Sequence, residues 1–253
     1  MLGIRIIPVL LLKNQGFVKG VKFKNHRYIG DPINTIRIFN DKEADEIIIV
    51  DILASINASA PNFKLLTSLS SEAFMPLSYG GGIKNINEIE KLFSIGFEKI
   101  VLNSNAALDP AFIRDAVSIA GSSSVVISID VKKNIFGKYE MFLKSGTQKY
   151  SMNPFDFAKQ AQQMGAGEFI INNIDKEGTK SGYDLHLMKS MTDILSVPVI
   201  AAGGAGTLEH FKDAVKESHV SAVSGGNFFV YHGKHDAVLI QYPKYEISKN
   251  LFK

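Results

Sequence analysis

The chain says the same thing twice, about 120 residues apart, and a repeat of that length fixes the architecture before any single motif does. Pro76, Gly81 and Gly82 recur 122 residues on as Pro198, Gly203 and Gly204, and Glu46 recurs as Glu168. The first apolar run, residues 6–13, recurs about 119 residues on at 124–132. Within that run one position breaks the echo: the second copy has Asp130 where the first has Leu11. Two copies in one chain imply two equivalent structural halves. A repeat that keeps a carboxylate in one half and loses it in the other bears on chemistry.

Short apolar, β-branched runs alternate with amphipathic stretches. The runs predict strands at 4–12, 46–51, 76–79, 99–102, 124–130, 168–172, 198–201 and 221–224. Between them, residues 87–95 place Ile89, Leu92 and Phe93 on one helical face, and Gly96 ends the helix. Pro110 after Asp109, Pro154 with Asp156, and Thr207 before Glu209, His210 and Phe211 open further helices. Eight strands alternating with helices give an α/β fold, a (β/α)8 barrel made of two half-barrels. With no linker or low-complexity tract, residues 1–253 are expected to form a single barrel domain. Two long loops, 13–30 and 134–150, follow the first and fifth strands. The second carries a hairpin signal around Phe136, Gly137 and Lys138.

Composition excludes several classes. A net charge of +3 is too weak to argue for nucleic acid. No cysteine is present, so disulfides and thiol catalysis are out. Arg5 followed by the apolar run to Leu12 loosely resembles a secretion signal. That run is short, contains Pro8 and lacks a small-residue cleavage site, so a buried parallel strand is the better reading. No segment is long enough to span a membrane, and the cytoplasm is the expected compartment. The six histidines, His26, His186, His210, His219, His232 and His235, show no metal-ligand spacing, so neither metal nor cofactor is expected.

The repeated glycines carry the strongest local signal. Gly80-Gly81-Gly82 ends the third strand, and Gly203-Gly204-Ala205-Gly206 follows the seventh. Such loops either make tight turns or let backbone N–H groups approach an anion. Their neighbours from the next strands are Asn103-Ser104 and Gly225-Gly226. Two symmetry-related loops across one barrel mouth suit an elongated ligand with a phosphate at each end.

Taken together, Arg5-Ile6-Ile7-Pro8, Val18-Lys19-Gly20, Gly30-Asp31-Pro32, Gly80-Gly81-Gly82-Ile83, Gly165-Ala166-Gly167-Glu168, Gly178-Thr179 with Gly182-Tyr183-Asp184, and Gly203-Gly204-Ala205-Gly206 with Leu208-Glu209-His210-Phe211 resemble the cyclase subunit of imidazole glycerol phosphate synthase over nearly the full length. The resemblance implies a (β/α)8 lyase subunit. It takes ammonia from a separate glutaminase subunit in a heterodimer and closes an imidazole ring on a phosphorylated small molecule. It implies that Asp130 and the Leu11 position are the acid/base pair and that Lys19 and Asp51 face the ligand. It assigns Gly81, Gly82, Asn103, Ser104, Gly178, Thr179, Gly203, Gly204, Gly225 and Gly226 to the substrate and its phosphates. On its own, Lys19 reads equally as a solvated loop lysine and Asp51 as a strand-end cap. Arg5, Glu46, Lys99 and Glu168 on their own read as solvated strand starts; the resemblance makes them a salt-bridge ring that gates ammonia entry.

The departures from that family fall on the catalytic end. Leu11 cannot carry a proton, and the nearest carboxylate in sequence is Asp31. Residues 13–17 replace an Asp-Gly-Arg pattern, Tyr79 precedes the triple glycine where a smaller residue is usual, and Glu177 replaces an Asp. Asn172 and Ala202 replace hydroxyl residues. Leu11 fits a branch of the resembled family linked to bacterial surface-sugar biosynthesis better than histidine synthesis. There, glutamine-derived ammonia turns a sugar acetamido group into an acetamidino group with a separate ATP-dependent amidotransferase. The alternatives are an authentic cyclase subunit of histidine biosynthesis and a non-catalytic ammonia conduit that activates the glutaminase.

Overall fold

A computed structural model describes residues 3–252. Eight parallel strands close on themselves: β1 (Arg5–Lys13), β2 (Ile47–Asp51), β3 (Leu77–Gly80), β4 (Lys99–Leu102), β5 (Val125–Lys133), β6 (Glu168–Asn173), β7 (Val199–Ala202) and β8 (Ala222–Gly225). Each pairs with its neighbours in sequence, and β8 returns to β1 through Arg5 opposite Ala222 and Pro8 opposite Gly225. The helices follow in turn: α1 (Pro32–Asp41), α2 (Phe63–Glu72), α3 (Ile86–Ser94), α4 (Ala111–Ala120), α5 (Pro154–Gln163), α6 (Leu185–Thr192), α7 (Leu208–Ser218) and α8 (Tyr245–Leu251). The protein is a (β/α)8 barrel, as the repeat predicts.

Alternation along each strand sorts the core into two layers. In β1, Ile6, Leu10 and Leu12 pack outward under the helices with Ile47, Ile49 and Phe39. Ile7 and Val9 turn inward, where they meet Ile48, Val50, Val101, Val126, Ile170, Ile200 and Ala222. The barrel interior is therefore a packed apolar waist.

The helix signals work through identifiable contacts. Asn85 Oδ1 accepts from Glu88 N at 3.0 Å and starts α3, which buries Ile89 and Leu92. Gly96, with a φ of 104°, ends it. Asn153 Oδ1 accepts from Phe155 N at 2.9 Å ahead of Pro154. Thr207 caps α7.

The first long loop is not a loop. Residues Gly16–Val21 and Lys24–Gly30 form an antiparallel hairpin that extends β1, with Leu11 opposite Val18 and Lys13 opposite Gly16. Its turn needs positive φ at both central residues. Lys22 and Phe23 supply them, at 52° and 61°, without the Asn-Gly or Asp-Gly signature that would reveal such a turn. Its second strand is also too polar to read as one: only Ile29 is buried. The second long loop does form the expected hairpin: Tyr139–Leu143 pairs with the outer end of β5, Asp130 opposite Phe142 and Lys133 opposite Tyr139. The halves thus agree in detail. Leu11 and Asp130 are each the first residue at which a barrel strand pairs with its hairpin.

Candidate functional site

The C-terminal ends of the strands surround a cavity of about 410 Å³, a size suited to a small molecule. Leu11, Lys19, Asp51, Gly81, Gly82, Asn103, Ser104, Asp130, Gly203, Gly225 and Gly226 all line it. Three other residues picked from the sequence pack the loops instead. Gly178 lies against the Gly20 carbonyl of the first hairpin, and Gly204 against the Gly182 carbonyl. The Thr179 hydroxyl donates to the Lys176 carbonyl at 2.7 Å.

Asp130 ends its barrel stretch of β5 nearly buried, at 9% exposure. Asn172 Nδ2 donates to its Oδ1 at 3.1 Å, and Asn103 Nδ2 to its Oδ2 at 3.3 Å. Burial pushes its pKa up to about 7. The Asn172 hydrogen bond opposes the rise, nearby Glu177 adds to it, and Lys132 opposes it. A carboxyl poised there can take or give a proton near neutrality. Leu11, at the matching place in the other half, lines the same cavity with an aliphatic side chain. Asp31, the nearest alternative in sequence, accepts from Asn34 N at 2.9 Å and caps α1.

Lys19 is not a solvated loop lysine. The hairpin carries it inward to 1% exposure, with Nζ 3.3 Å from Glu177 Oε1. Its head lies on Gly226, so close that a Cβ added there would stand 1.7 Å from Nζ. His26, on the same hairpin, lines the cavity, and burial with the charges of Lys13 and Lys19 lowers its pKa.

The two glycine loops are built alike. Gly81, with a φ of 117°, presses on the Asp51 carbonyl, where an added Cβ would come within 2.5 Å. Gly203, with a φ of 84°, presses in the same way on the Asn173 carbonyl, 122 residues beyond Asp51. Asp51 Oδ1 accepts from Leu53 N at 3.0 Å, and Asn173 Oδ1 accepts from Asp175 N at 2.9 Å, which is one turn made twice. Asp51 is therefore both a strand-end cap and a cavity residue, and burial raises its pKa against the opposing hydrogen bonds from Leu53 N and Ala54 N. The helices after the glycines, α3 and α7, begin at Ile86 and Leu208 and are capped by their own Asn85 and Thr207. Two short helical turns beside the glycine loops, Ser104–Leu108 and Asn227–Val230, start without a side-chain cap.

At the opposite end of the barrel, four charges meet. Arg5 bonds Glu46 and Glu168. Lys99 Nζ lies 2.8 Å from Glu168 Oε2 and 3.4 Å from Glu46 Oε2, which closes the ring. Ser78 Oγ donates to Glu46 Oε1 at 2.9 Å. Both carboxylates are buried and would be costly unpaired. Burial alone would lower the Arg5 pKa, but Glu168 and Glu46 more than offset it and raise it.

A family profile described as "Histidine biosynthesis protein" matches residues 5–236. A protein of Leptospira interrogans named "Putative imidazole glycerol phosphate synthase subunit HisF" is 46% identical over 253 residues, all of both chains. One of Pseudomonas aeruginosa named "Putative imidazole glycerol phosphate synthase subunit hisF2" is 46% identical over 239 residues, 94% of this chain and 95% of that one. The "Imidazole glycerol phosphate synthase subunit HisF" of Alkaliphilus metalliredigens is 38% identical over 228 residues, 90% of each. The chain belongs to the HisF family.

Within this HisF-family barrel, one departure noted in the sequence moves away from the mouth. Strand alternation turns Ser78 and Gly80 inward and Tyr79 outward. The Tyr79 ring meets Phe97 edge-on at 5.9 Å in the layer beneath the helices. Its buried hydroxyl has no hydrogen-bond partner among the described residues. Asn172 and Ala202 do line the mouth. The cavity role of His26 and the partnership of Glu177 with Lys19 leave no sequence signal, because the hairpin that brings Lys19 and His26 inward has none.

Proposed function

We propose that this HisF-family barrel receives ammonia from a glutaminase subunit at the face holding Arg5, Glu46, Lys99 and Glu168. The ammonia then passes along the barrel axis toward Asp130. Neutral ammonia crosses an apolar layer more readily than ammonium, and the ring needs only a small rearrangement to admit it. We further propose that the acceptor is a sugar in bacterial surface-polysaccharide biosynthesis. Its acetamido group becomes an acetamidino group, with a separate ATP-dependent amidotransferase supplying activation. A phosphorylated small molecule at the glycine loops completes the reading.

The single observation that carries the choice over histidine biosynthesis is Leu11 lining the cavity at the position that mirrors Asp130. Ring closure by two exchanging carboxylates has one of them here, and general acid–base catalysis is worth about 10²–10⁴-fold. The family membership supports the partnership with a glutaminase, since relatives carry the name of a synthase subunit. The same Leu11 favours a second reading, a conduit that activates the glutaminase and transforms nothing itself.

One experiment separates histidine synthesis from the two readings without ring closure. The barrel is co-expressed with a candidate glutaminase, and glutamine hydrolysis is measured with and without it, alongside turnover of the bisphosphate of the histidine pathway. The proposal expects complex formation, stimulated hydrolysis and no ring closure. Robust ring closure would return the protein to histidine synthesis; absence of any complex would remove the partner.

A further inference from the structure

The two hairpins that rise from the barrel mouth hold charge out of proportion to the chain. Residues 13–30 and 132–149 carry ten of its 28 lysines and arginines and one of its 25 acidic residues, Glu140. The remaining 18 basic and 24 acidic residues make the rest of the molecule net negative. The hairpins stand together. Phe23, at the tip of the first, sits against Gly146 on the return of the second, and Lys132 Nζ donates to the Gly146 carbonyl at 3.4 Å. Three of the ten cations meet a carboxylate: Lys19 at Glu177, Lys133 at Asp184 and Lys149 at Glu140. The other seven, six of them lysines, form no ion pair among the described residues. Of these only Lys13 and Lys144 line the cavity, so a ligand held there does not account for Lys22, Lys24, Arg27, Lys132 or Lys138.

The second hairpin also puts two large apolar side chains into water. Ile135 is 93% and Phe136 80% exposed at its turn, and neither belongs to the core. The turn is not loose. Asn134 Oδ1 accepts from Phe136 N at 2.9 Å and from Lys138 N at 3.0 Å, and Gly137 N donates to the Asn134 carbonyl at 2.9 Å. Gly137, with a φ of 77°, completes it. Asn134 and Gly137 close this turn by themselves, so the fold does not require an isoleucine and a phenylalanine between them. Val21 and Tyr28, both exposed, add apolar surface on the first hairpin.

We infer that this face docks on an anionic membrane surface, with Ile135 and Phe136 at the boundary between headgroups and acyl chains and the unpaired lysines over the lipid phosphates. An apolar tip flanked by cations joins the two signals that reversible membrane binding uses. Lysine decides between a lipid and a protein. Protein interfaces favour arginine and shed lysine. A sheet of mobile headgroups takes lysines without fixed partners, each contributing about fivefold in affinity. Docked in this way, the charge ring at the opposite end of the barrel points away from the bilayer and stays open to the proposed glutaminase. The inference is independent of what the cavity binds.

The test is co-sedimentation of the whole chain with vesicles of phosphatidylcholine alone and of phosphatidylcholine mixed with phosphatidylglycerol. Binding is expected only where phosphatidylglycerol is present, and it should fall steeply as salt rises. Lys24→Gln and Lys138→Gln should each weaken it about fivefold. Ile135→Ser combined with Phe136→Ser should weaken it at least about tenfold. Circular dichroism should not change in any of these, because the side chains are exposed. The chain has no tryptophan, so Phe136→Trp supplies a single reporter whose emission should shift to the blue on the anionic vesicles. No sedimentation with phosphatidylglycerol at low salt overturns the inference. So does binding that ignores the serine substitutions, or an emission that does not move, since either leaves the tip in water. A chain that ignores both vesicles, yet loses a co-purifying amidotransferase when the tip is changed to serine, would also overturn it and give the face to a protein.

Discussion

Asp130 offers the simplest titration in the molecule. Its folded-state pKa of about 7 lies above the ordinary 3.8. Between those values the folded chain holds a proton that the unfolded chain releases, so stability falls as pH rises through the window and the loss is complete above about 7. Asp130→Asn should remove that slope. The variant is expected to gain most on the wild type at pH 8, by at most about 4 kcal/mol, and little near pH 4. Urea melts at the two values check it, and parallel pH profiles would contradict the burial argument. Leu11 makes the companion prediction: Leu11→Asp should restore at most a trace of ring-closing activity, because the hairpin still sets Lys19 against Glu177. Substantial recovery in a bisphosphate turnover assay would show that one side chain separates this barrel from a cyclase. Both residues were legible early, since a broken repeat needs only the sequence. The Lys19–Glu177 contact was not, because it depends on where a hairpin folds.

That hairpin, residues 16–30, is the element least visible in the sequence and the one that shapes the mouth most. Its turn residues Lys22 and Phe23 take a backbone conformation that costs energy for side chains of their kind. Docking against Gly146, Gly178 and Gly226 offsets that cost. Two of these glycines should respond differently to alanine. Gly178, with a φ of 76°, would put its Cβ 2.3 Å from the Gly20 carbonyl, so Gly178→Ala strains the backbone and is expected to cost about 1–3 kcal/mol of stability. At Gly226 the obstacle is the far end of a lysine. Gly226→Ala should therefore leave the melting temperature nearly unchanged while it frees Lys19 and speeds hydrogen exchange in 16–30. Equal loss of stability in both variants would contradict this. The eight barrel strands and helices α3, α5 and α7 were readable from apolar runs, caps and prolines, because those signals are local. The helix start at Ser104 was not, because Asn103 makes no side-chain cap there.

Across the whole molecule, charges close one end, apolar side chains fill the waist and a lined cavity opens at the other. The ends were legible to different degrees. Arg5, Glu46, Lys99 and Glu168 read alone as solvated strand starts, and only closure of the barrel brings residues this far apart in sequence into one ring. Lys99→Ala leaves two buried carboxylates sharing Arg5 and is expected to cost about 1–3 kcal/mol while the barrel remains folded. We propose that ammonia enters here. The most direct measurement is glutamine-dependent amidation by the barrel with its glutaminase and amidotransferase, compared with amidation fed by free ammonium, in wild type, Lys99→Ala and Glu168→Ala. With entry through the ring, both substitutions are expected to uncouple glutamine hydrolysis from amidation while ammonium-fed activity and circular dichroism stay at wild-type levels. Unchanged glutamine-dependent amidation in both variants would contradict it and leave the four residues as a structural ion-pair ring.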